Sequence, residues 1–151
     1  MTHYTRRAAL ALTSMAIANT ANAQAVFLGG QGIALRGFDP VAYWTLEIAR
    51  KGKIDFESEI DEVTWWFSSK RHKDLFDENP KKYIPQYGGF DAESIARGYV
   101  RVSDPSVFVI VKDKLYLHYS VEVQNRWAQN IIGNIDIADE NWPELSEIYE
   151  D

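Results

Sequence analysis

Cysteine is absent from this chain of 151 residues, and histidine occurs only three times. Without cysteine the chain can form no disulfide framework, offers no thiol nucleophile, and lacks the lipid-bearing residue of a lipoprotein. Apolar packing alone must therefore hold the folded chain together.

Positive charge is also scarce, because 22 acidic residues outnumber 16 lysines and arginines and set the formal net charge at −6. Aromatic residues make up 13% of the chain. An acidic, aromatic-rich surface argues against nucleic acid or an anionic membrane as a partner. The same surface is compatible with cations.

The N-terminus lacks an apolar run of the roughly 20 residues that a membrane-spanning helix needs. Arg6-Arg7 is followed by an apolar run over 8–18, interrupted by Thr13 and Ser14, and Ala21-Asn22-Ala23 has the small-x-small pattern of a cleavage site. These features predict a signal peptide over 1–23 and a periplasmic or otherwise exported protein with no membrane span after cleavage. The arginine pair favours twin-arginine export, and the general secretory route stays open.

Cleavage of 23 residues from 151 would leave 128, enough for one domain with a substantial core, and would change the formal charge to −8. Gly29, Gly30 and Gly32 suggest a flexible lead-in over 24–32. The glycines do not form a phosphate loop, because no helix of adequate length follows them. The domain proper is expected over 33–151.

Alternating apolar and polar residues predict two β-hairpins. The first covers Ile54 to Phe67 and turns at Asp61-Glu62, and the second joins 107–111 to 115–119. A short strand is expected at 33–35. Local start and stop signals predict short helices, in chain order after Asp39, after Ser69, near 81–84, over 92–97 and over 121–132. A turn over 134–140 and a last helical segment, in which Trp142-Pro143 precedes Leu145 and Ile148, complete the chain. The fold class is α+β, a small single domain of short hairpins packed with helices.

Three blocks carry a family resemblance: FDPVAY at 38–43, NPKKYIPQYGGFDA at 79–92, and LYLHYS at 115–120. In this order and spacing they resemble the exported bacterial YHS-domain proteins, including the YHS domain-containing (seleno)protein type, over about 33–145. The resemblance implies a YHS-like fold, and metal binding as in related YHS modules. Those relatives usually carry a cysteine where this chain has Asp91, so any activity that depends on that cysteine should be absent.

Asp91 has two interpretations. As the N-cap of the helix over 92–97, its carboxylate would accept the backbone N–H of Glu93 or Ser94. Alternatively, Asp91 has a functional role. At this helix N-terminus the cysteine of the relatives would have a thiol pKa lowered by the helix dipole. A carboxylate at the same place could hold a proton or a harder cation.

The preferred binding site is a pocket rimmed by aromatic rings, with Asp91 at its floor. Glycine lets a backbone approach a ligand closely, and Gly88-Gly89 lies between such rings. The predicted ligand-binding residues are Tyr83, Tyr87, Gly88, Gly89, Phe90, Asp91 and His118. A half-buried, hydrogen-bonded structural role is the simpler interpretation of His118. The ligand is unknown, and a divalent metal would require His72, His118 and Asp91 to converge.

No set of nucleophile, base and orienting residue is visible, since Ser68, Ser69 and Ser120 have no obvious histidine partner in the sequence. The prediction is therefore a non-catalytic ligand- or metal-binding module. One alternative is an acid/base enzyme, which would need a raised Asp91 pKa with His118 nearby. The other is a periplasmic interaction module that docks a partner protein through exposed aromatics around Trp142 and Tyr149.

Overall fold

The computed structural model describes residues 25–29 and 32–150, so the predicted signal peptide over 1–23 lies outside the described residues. Those ranges form one small α+β domain, as predicted from the hydrophobic periodicity. None of the helices in the described ranges combines the length and the apolar content that crossing a bilayer requires.

Two separate antiparallel hairpins provide the strands. β1 (Lys53–Ile60) pairs with β2 (Val63–Phe67), and β3 (Asp104–Val111) pairs with β4 (Lys114–His118). The two residues between the strands have positive φ in both hairpins, 51° and 65° in the first and 48° and 57° in the second. Left-handed residues at both central positions match the twist of a two-residue hairpin. Both predicted hairpins are thus confirmed.

The described part of the chain also contains six helices: α1 (Ala42–Thr45), α2 (Lys70–Glu78), α3 (Pro80–Tyr83), α4 (Ala92–Ala96), α5 (Val121–Trp127) and α6 (Ile131–Glu150). Short 3-10 turns lie at Leu35–Gly37, Gln86–Gly89 and Ala128–Asn130. Ser69 caps α2 as predicted, because its Oγ accepts the N–H of His72 at 3.2 Å.

The C-terminal region differs from the prediction. The helix predicted over 121–132 ends at Trp127, and the turn predicted over 134–140 is part of α6, which continues through Pro143. Proline removes one hydrogen bond from a helix, but tertiary contacts hold the turn that precedes Pro143. Trp142 is buried, and Asn141 Nδ2 donates to the Ile95 carbonyl at 2.9 Å. The predicted strand at 33–35 is likewise reduced to single bridges, of Ile33 with Thr64 and of Ala34 with Leu28.

Two hydrophobic clusters lie on opposite sides of β4. Tyr116 belongs to the first cluster, whereas Leu115 and Leu117 belong to the second, as the two-residue period of a strand requires. Other buried members of the first are Phe27, Tyr87, Phe90, Ile95, Trp127 and Trp142; the second includes Leu35, Tyr43, Trp65, Phe67, Phe76 and Tyr83.

Residues 25–29, for which the sequence suggests a flexible lead-in, are instead packed into the domain. Phe27 is only 3% exposed, and its ring lies 5.7 Å from that of Phe90. Its backbone N–H donates to the Gly88 carbonyl at 2.8 Å, and its carbonyl accepts from Leu35 at 2.9 Å. The apolar side chain explains the difference, since burying a Phe offsets the entropy of ordering a short segment.

Candidate functional site

Other parts of the chain, and not a ligand as predicted, lie close to the backbone of Gly88 and Gly89. Gly88 has φ +59°, and a Cβ placed on it would lie 1.9 Å from the carbonyl oxygen of Ala25. Gly89 has φ +83°, and its Cβ would lie 2.4 Å from a methyl of Leu35. The space that the prediction assigns to a ligand at these glycines is therefore occupied by the protein.

The predicted aromatic pocket is also filled. Tyr83 packs in the second hydrophobic cluster, whereas Tyr87 and Phe90 pack in the first. The ring of Trp142 lies 6.0 Å from Tyr87 and 6.1 Å from Phe90, so α6 covers the rings. Trp142 is only 6% exposed, so the prediction that it is an exposed docking residue is wrong. Tyr149 stays half exposed and stacks edge-on against Phe90.

Asp91 is fully buried and caps α4, which confirms the structural interpretation. Its Oδ1 accepts the N–H of Glu93 at 3.4 Å and of Tyr119 at 3.3 Å, and its Oδ2 accepts from Arg101 Nε at 3.0 Å. Burial raises the pKa of Asp91, but His118, Arg101 and the Tyr119 N–H together bring it below the ordinary value. The raised pKa that the acid/base alternative requires is therefore contradicted.

His118 is fully buried, more than the half-buried role predicted for it. Its Nδ1 lies 3.6 Å from Asp91 Oδ1, which is too long for a hydrogen bond, so Arg101 is the firmer cause of the lowered Asp91 pKa. Neither ring nitrogen finds a hydrogen-bond partner within 25–29 and 32–150. The ring packs at 4.8 Å from that of Trp127.

The three candidate metal ligands do not converge, because His72 bonds to Asp39 and not to Asp91 or His118. Among the residues that the structure describes, no group of three or more histidine and carboxylate side chains is placed to hold a metal ion. The resemblance-based expectation of a divalent metal thus has no ligand set in these ranges.

Three arginines that the sequence did not single out surround Glu93, and we call them the arginine cluster: Arg97, Arg101 and Arg126. Glu93 is 4% exposed and accepts from Arg97 Nη2 at 3.0 Å and from Arg126 Nε and Nη2 at 2.6 and 2.9 Å. Hydrogen bonding from Arg126 is the main cause that lowers the pKa of Glu93. The Arg101 guanidinium lies 4.4 Å from the Tyr119 ring and 5.8 Å from that of Tyr99.

A second polar group centres on Asp39, which the sequence predicts only as a helix cap. The helix begins later than predicted, at Ala42, and its N-cap residue is Val41. Asp39 lies before it, and its Oδ1 accepts the N–H of Val41 at 2.9 Å. The other oxygen lies 2.6 Å from His72 Nδ1 and accepts the Ser68 hydroxyl at 2.6 Å. Ser68 Oγ lies 3.2 Å from His72 Nδ1, so the expectation that Ser68 has no histidine partner is wrong. Ser68 lies before the N-cap of α2, so the four-residue neighbour rule of a helix did not point to this contact.

Two clefts border residues 78–88, which include part of the predicted site. The large cleft, of about 520 Å3, lies between these residues and the first hairpin, and Gly88 is part of its wall. The small cleft, of about 330 Å3, lies against α6 and has Tyr87 in its wall. Lys81 and Ile84 line both.

No family model, curated protein or solved structure matches this chain. The resemblance to YHS proteins thus stays a prediction, and function has to be argued from the geometry.

Proposed function

We propose that this chain is an exported, YHS-like binding module that holds a small, mainly apolar molecule in the large cleft. The observation that carries the proposal is the size and lining of this cleft. Its volume of about 520 Å3 falls in the range of roughly 300–1,000 Å3 that small-molecule sites occupy. Its apolar lining comes from Ala25, Val26, Ile60, Val63, Trp65 and Ile84.

The polar residues of the large cleft favour a neutral or cationic ligand. Asp61 and Glu78 supply two carboxylates, against one ammonium from Lys81, and Asn79 adds an amide that can donate and accept. The negative net charge of the whole chain also favours a cationic ligand over an anionic one. A small aromatic or aliphatic amine fits this combination best.

The test is the binding of N-phenyl-1-naphthylamine, a neutral apolar amine whose fluorescence rises in a dry site. We expect saturable binding to the wild-type protein and at least tenfold weaker binding to Val63→Arg, which fills the cleft and adds a positive charge. Ile54→Arg is the matched control, because Ile54 is 66% exposed on the same hairpin and does not line the cleft. Equal binding to both variants, or none to the wild type, would refute the proposal.

Native mass spectrometry with elemental analysis, on protein purified after export and before dialysis, tests the ligand directly. An organic mass lost in Val63→Arg supports the proposal. A stoichiometric metal would assign this protein to metal binding instead.

The second candidate function is docking of an acidic segment of a periplasmic partner protein on the arginine cluster. Tyrosine and arginine are the residue types that contribute most at interfaces, and Tyr99 and Tyr119 flank this cluster at 44% and 50% exposure. A guanidinium has about five N–H donors. Glu93 and Asp91 engage one donor of Arg97 and two each of Arg101 and Arg126, so donors remain for a partner carboxylate.

Fluorescence anisotropy with a labelled glutamate-rich peptide tests this docking. Binding should weaken as salt is added, because it depends on exposed charges. It should also weaken in the double variant Arg97→Gln/Arg126→Gln but not in Arg71→Gln, a change of an exposed arginine on α2. Equal loss in both variants would indicate attraction by overall charge and not a site.

A further inference from the structure

We propose that Thr45, His72 and Asp39 form a reactive centre in which the Thr45 hydroxyl accepts an acyl group from a small activated ester. This goes beyond ligand binding, and none of the three residues lines the large cleft. It also differs from the acid/base alternative at Asp91.

The three side chains form a continuous chain of short contacts. Thr45 Oγ1 lies 2.9 Å from His72 Nε2, and His72 Nδ1 lies 2.6 Å from Asp39 Oδ2. A hydroxyl within hydrogen-bond reach of an imidazole, which a carboxylate orients in turn, is the arrangement that activates serine and threonine nucleophiles. The sequence separations of 27 and 33 residues hide this arrangement from any local pattern.

Asp39 sets the tautomer of His72. Its carboxylate is fully buried and accepts the N–H of Val41, Ala42 and Ser68 as well as the Ser68 hydroxyl, so it acts as an ionised acceptor. Such a carboxylate accepts from His72 Nδ1, which must then carry a proton. In the neutral ring the lone pair is therefore on Nε2, facing Thr45, as a general base requires.

The surroundings satisfy Thr45 in both protonation states of His72. With a neutral ring, the Thr45 hydroxyl donates to Nε2. With a protonated ring, Nε2 donates to Thr45 Oγ1, and the hydroxyl can donate to the Val41 carbonyl at 3.1 Å instead. A proton can thus move onto His72 without leaving a polar atom of Thr45 or His72 unpaired.

The three side chains of the reactive centre extend from the core to the surface. Asp39 is fully buried, His72 is 7% exposed, and Thr45 is an exposed residue at the end of α1. Two residues further, Glu47 has φ 56°, a backbone conformation uncommon for a residue with a side chain and frequent at functional sites. Leu46 and Ile48 are 40% and 43% exposed and supply apolar surface for a short acyl chain.

The reaction conserves atoms and charge with the ester and water alone. Thr45 Oγ1 attacks the acyl carbon while its proton passes to His72 Nε2, and the bond to the leaving alcohol breaks as that alcohol takes the proton. Water then attacks the acyl-threonine ester, gives its proton to His72, and releases the carboxylic acid as Thr45 regains a proton.

The experiment uses the exported full-length domain with 4-nitrophenyl acetate and 4-nitrophenyl butyrate. We expect release of nitrophenol above background, together with a mass increase of one acyl group that fragmentation places on Thr45. Thr45→Val should lower release to background, whereas Thr45→Ser should retain it. His72→Gln should lower the acylation rate by about 100-fold, at the low end of general-base contributions.

Thr64→Val is the matched control, because Thr64 carries a hydroxyl on β2 with no histidine partner among the described contacts. It should react like the wild type, and circular dichroism should show every variant folded. An acyl group found on a lysine, or an unchanged rate in Thr45→Val, would overturn the proposal. If Thr45→Val unfolds, the decisive result is whether the acyl group is found at position 45 in both the wild type and Thr45→Ser, since each keeps a hydroxyl there.

Discussion

Arg101 donates from both Nε and Nη2 to the same oxygen of Asp91, at 3.0 and 2.5 Å. Asp91 is fully buried, while Arg101 reaches the surface with 28% of its side chain exposed. Asp91 is thus one half of an ion pair that joins the core to the surface. Its contacts anchor α4 to β4 and to the chain that leads into β3.

Replacing Asp91 should destabilise the domain strongly. Asp91→Asn keeps an acceptor for the α4 cap but removes the charge that pairs with Arg101, so we expect a loss of about 3 kcal/mol in the free energy of unfolding. Asp91→Ala also loses the cap and should cost about 1 kcal/mol more. Urea denaturation at pH 7 measures both changes. Asp55→Asn, at an exposed position on β1, should change stability by no more than about 0.5 kcal/mol.

Stability should fall in acid. The pKa values of Asp91 and Glu93 lie below their ordinary values in the folded protein, so the unfolded chain binds more protons at low pH. The stabilisation is complete above the unfolded carboxyl pKa values and disappears as pH falls through the lower, folded ones. Urea denaturation at a series of pH values from 7 to 3 measures this, and Asp91→Asn should show a shallower decline. An identical slope in that variant would refute the assignment to Asp91.

Replacing Gly98 and Gly88, which both have positive φ, with alanine should destabilise the domain by different amounts. At Gly98, with φ +85°, a Cβ meets nothing within 4 Å, so Gly98→Ala should cost only the backbone strain of about 1–2 kcal/mol. Gly88→Ala adds a collision with the Ala25 carbonyl at 1.9 Å and should destabilise by clearly more. Thermal unfolding of the two variants compares them, and equal shifts would show that residues 25–29 do not pack on Gly88.

Neighbouring side chains in the N-terminal segment provide another comparison. Phe27 is 3% exposed and Leu28 is 44% exposed. Phe27→Ala should lower the free energy of unfolding by about 3 kcal/mol or more through the cavity it leaves, whereas Leu28→Ala should have an effect below about 1 kcal/mol. Chemical denaturation distinguishes the two results. Similar small effects in both variants would mean that the segment is a free lead-in after all.

Much of the fold could be predicted because its signals are local. Alternation and turn residues located both hairpins, and the capping roles of Ser69 and Asp91 involve backbone groups two or three residues away. The prediction divided α6 into a turn and a last segment, because sequence signals are local whereas the contacts that keep this helix continuous come from distant residues such as Ile95. The contribution of such contacts is absent from any sequence window.

The sequence by itself determined the α+β class, the hairpins, the caps and the buried strand periodicity, since each depends on the backbone preferences of a few consecutive residues. Only the tertiary structure decided what occupies the space beside Gly88, which partner neutralises Asp91, and that Thr45, His72 and Asp39 meet. These pairings join residues that are far apart in the chain, and their free energy depends on burial and on distances that exist only once the whole domain has closed around them.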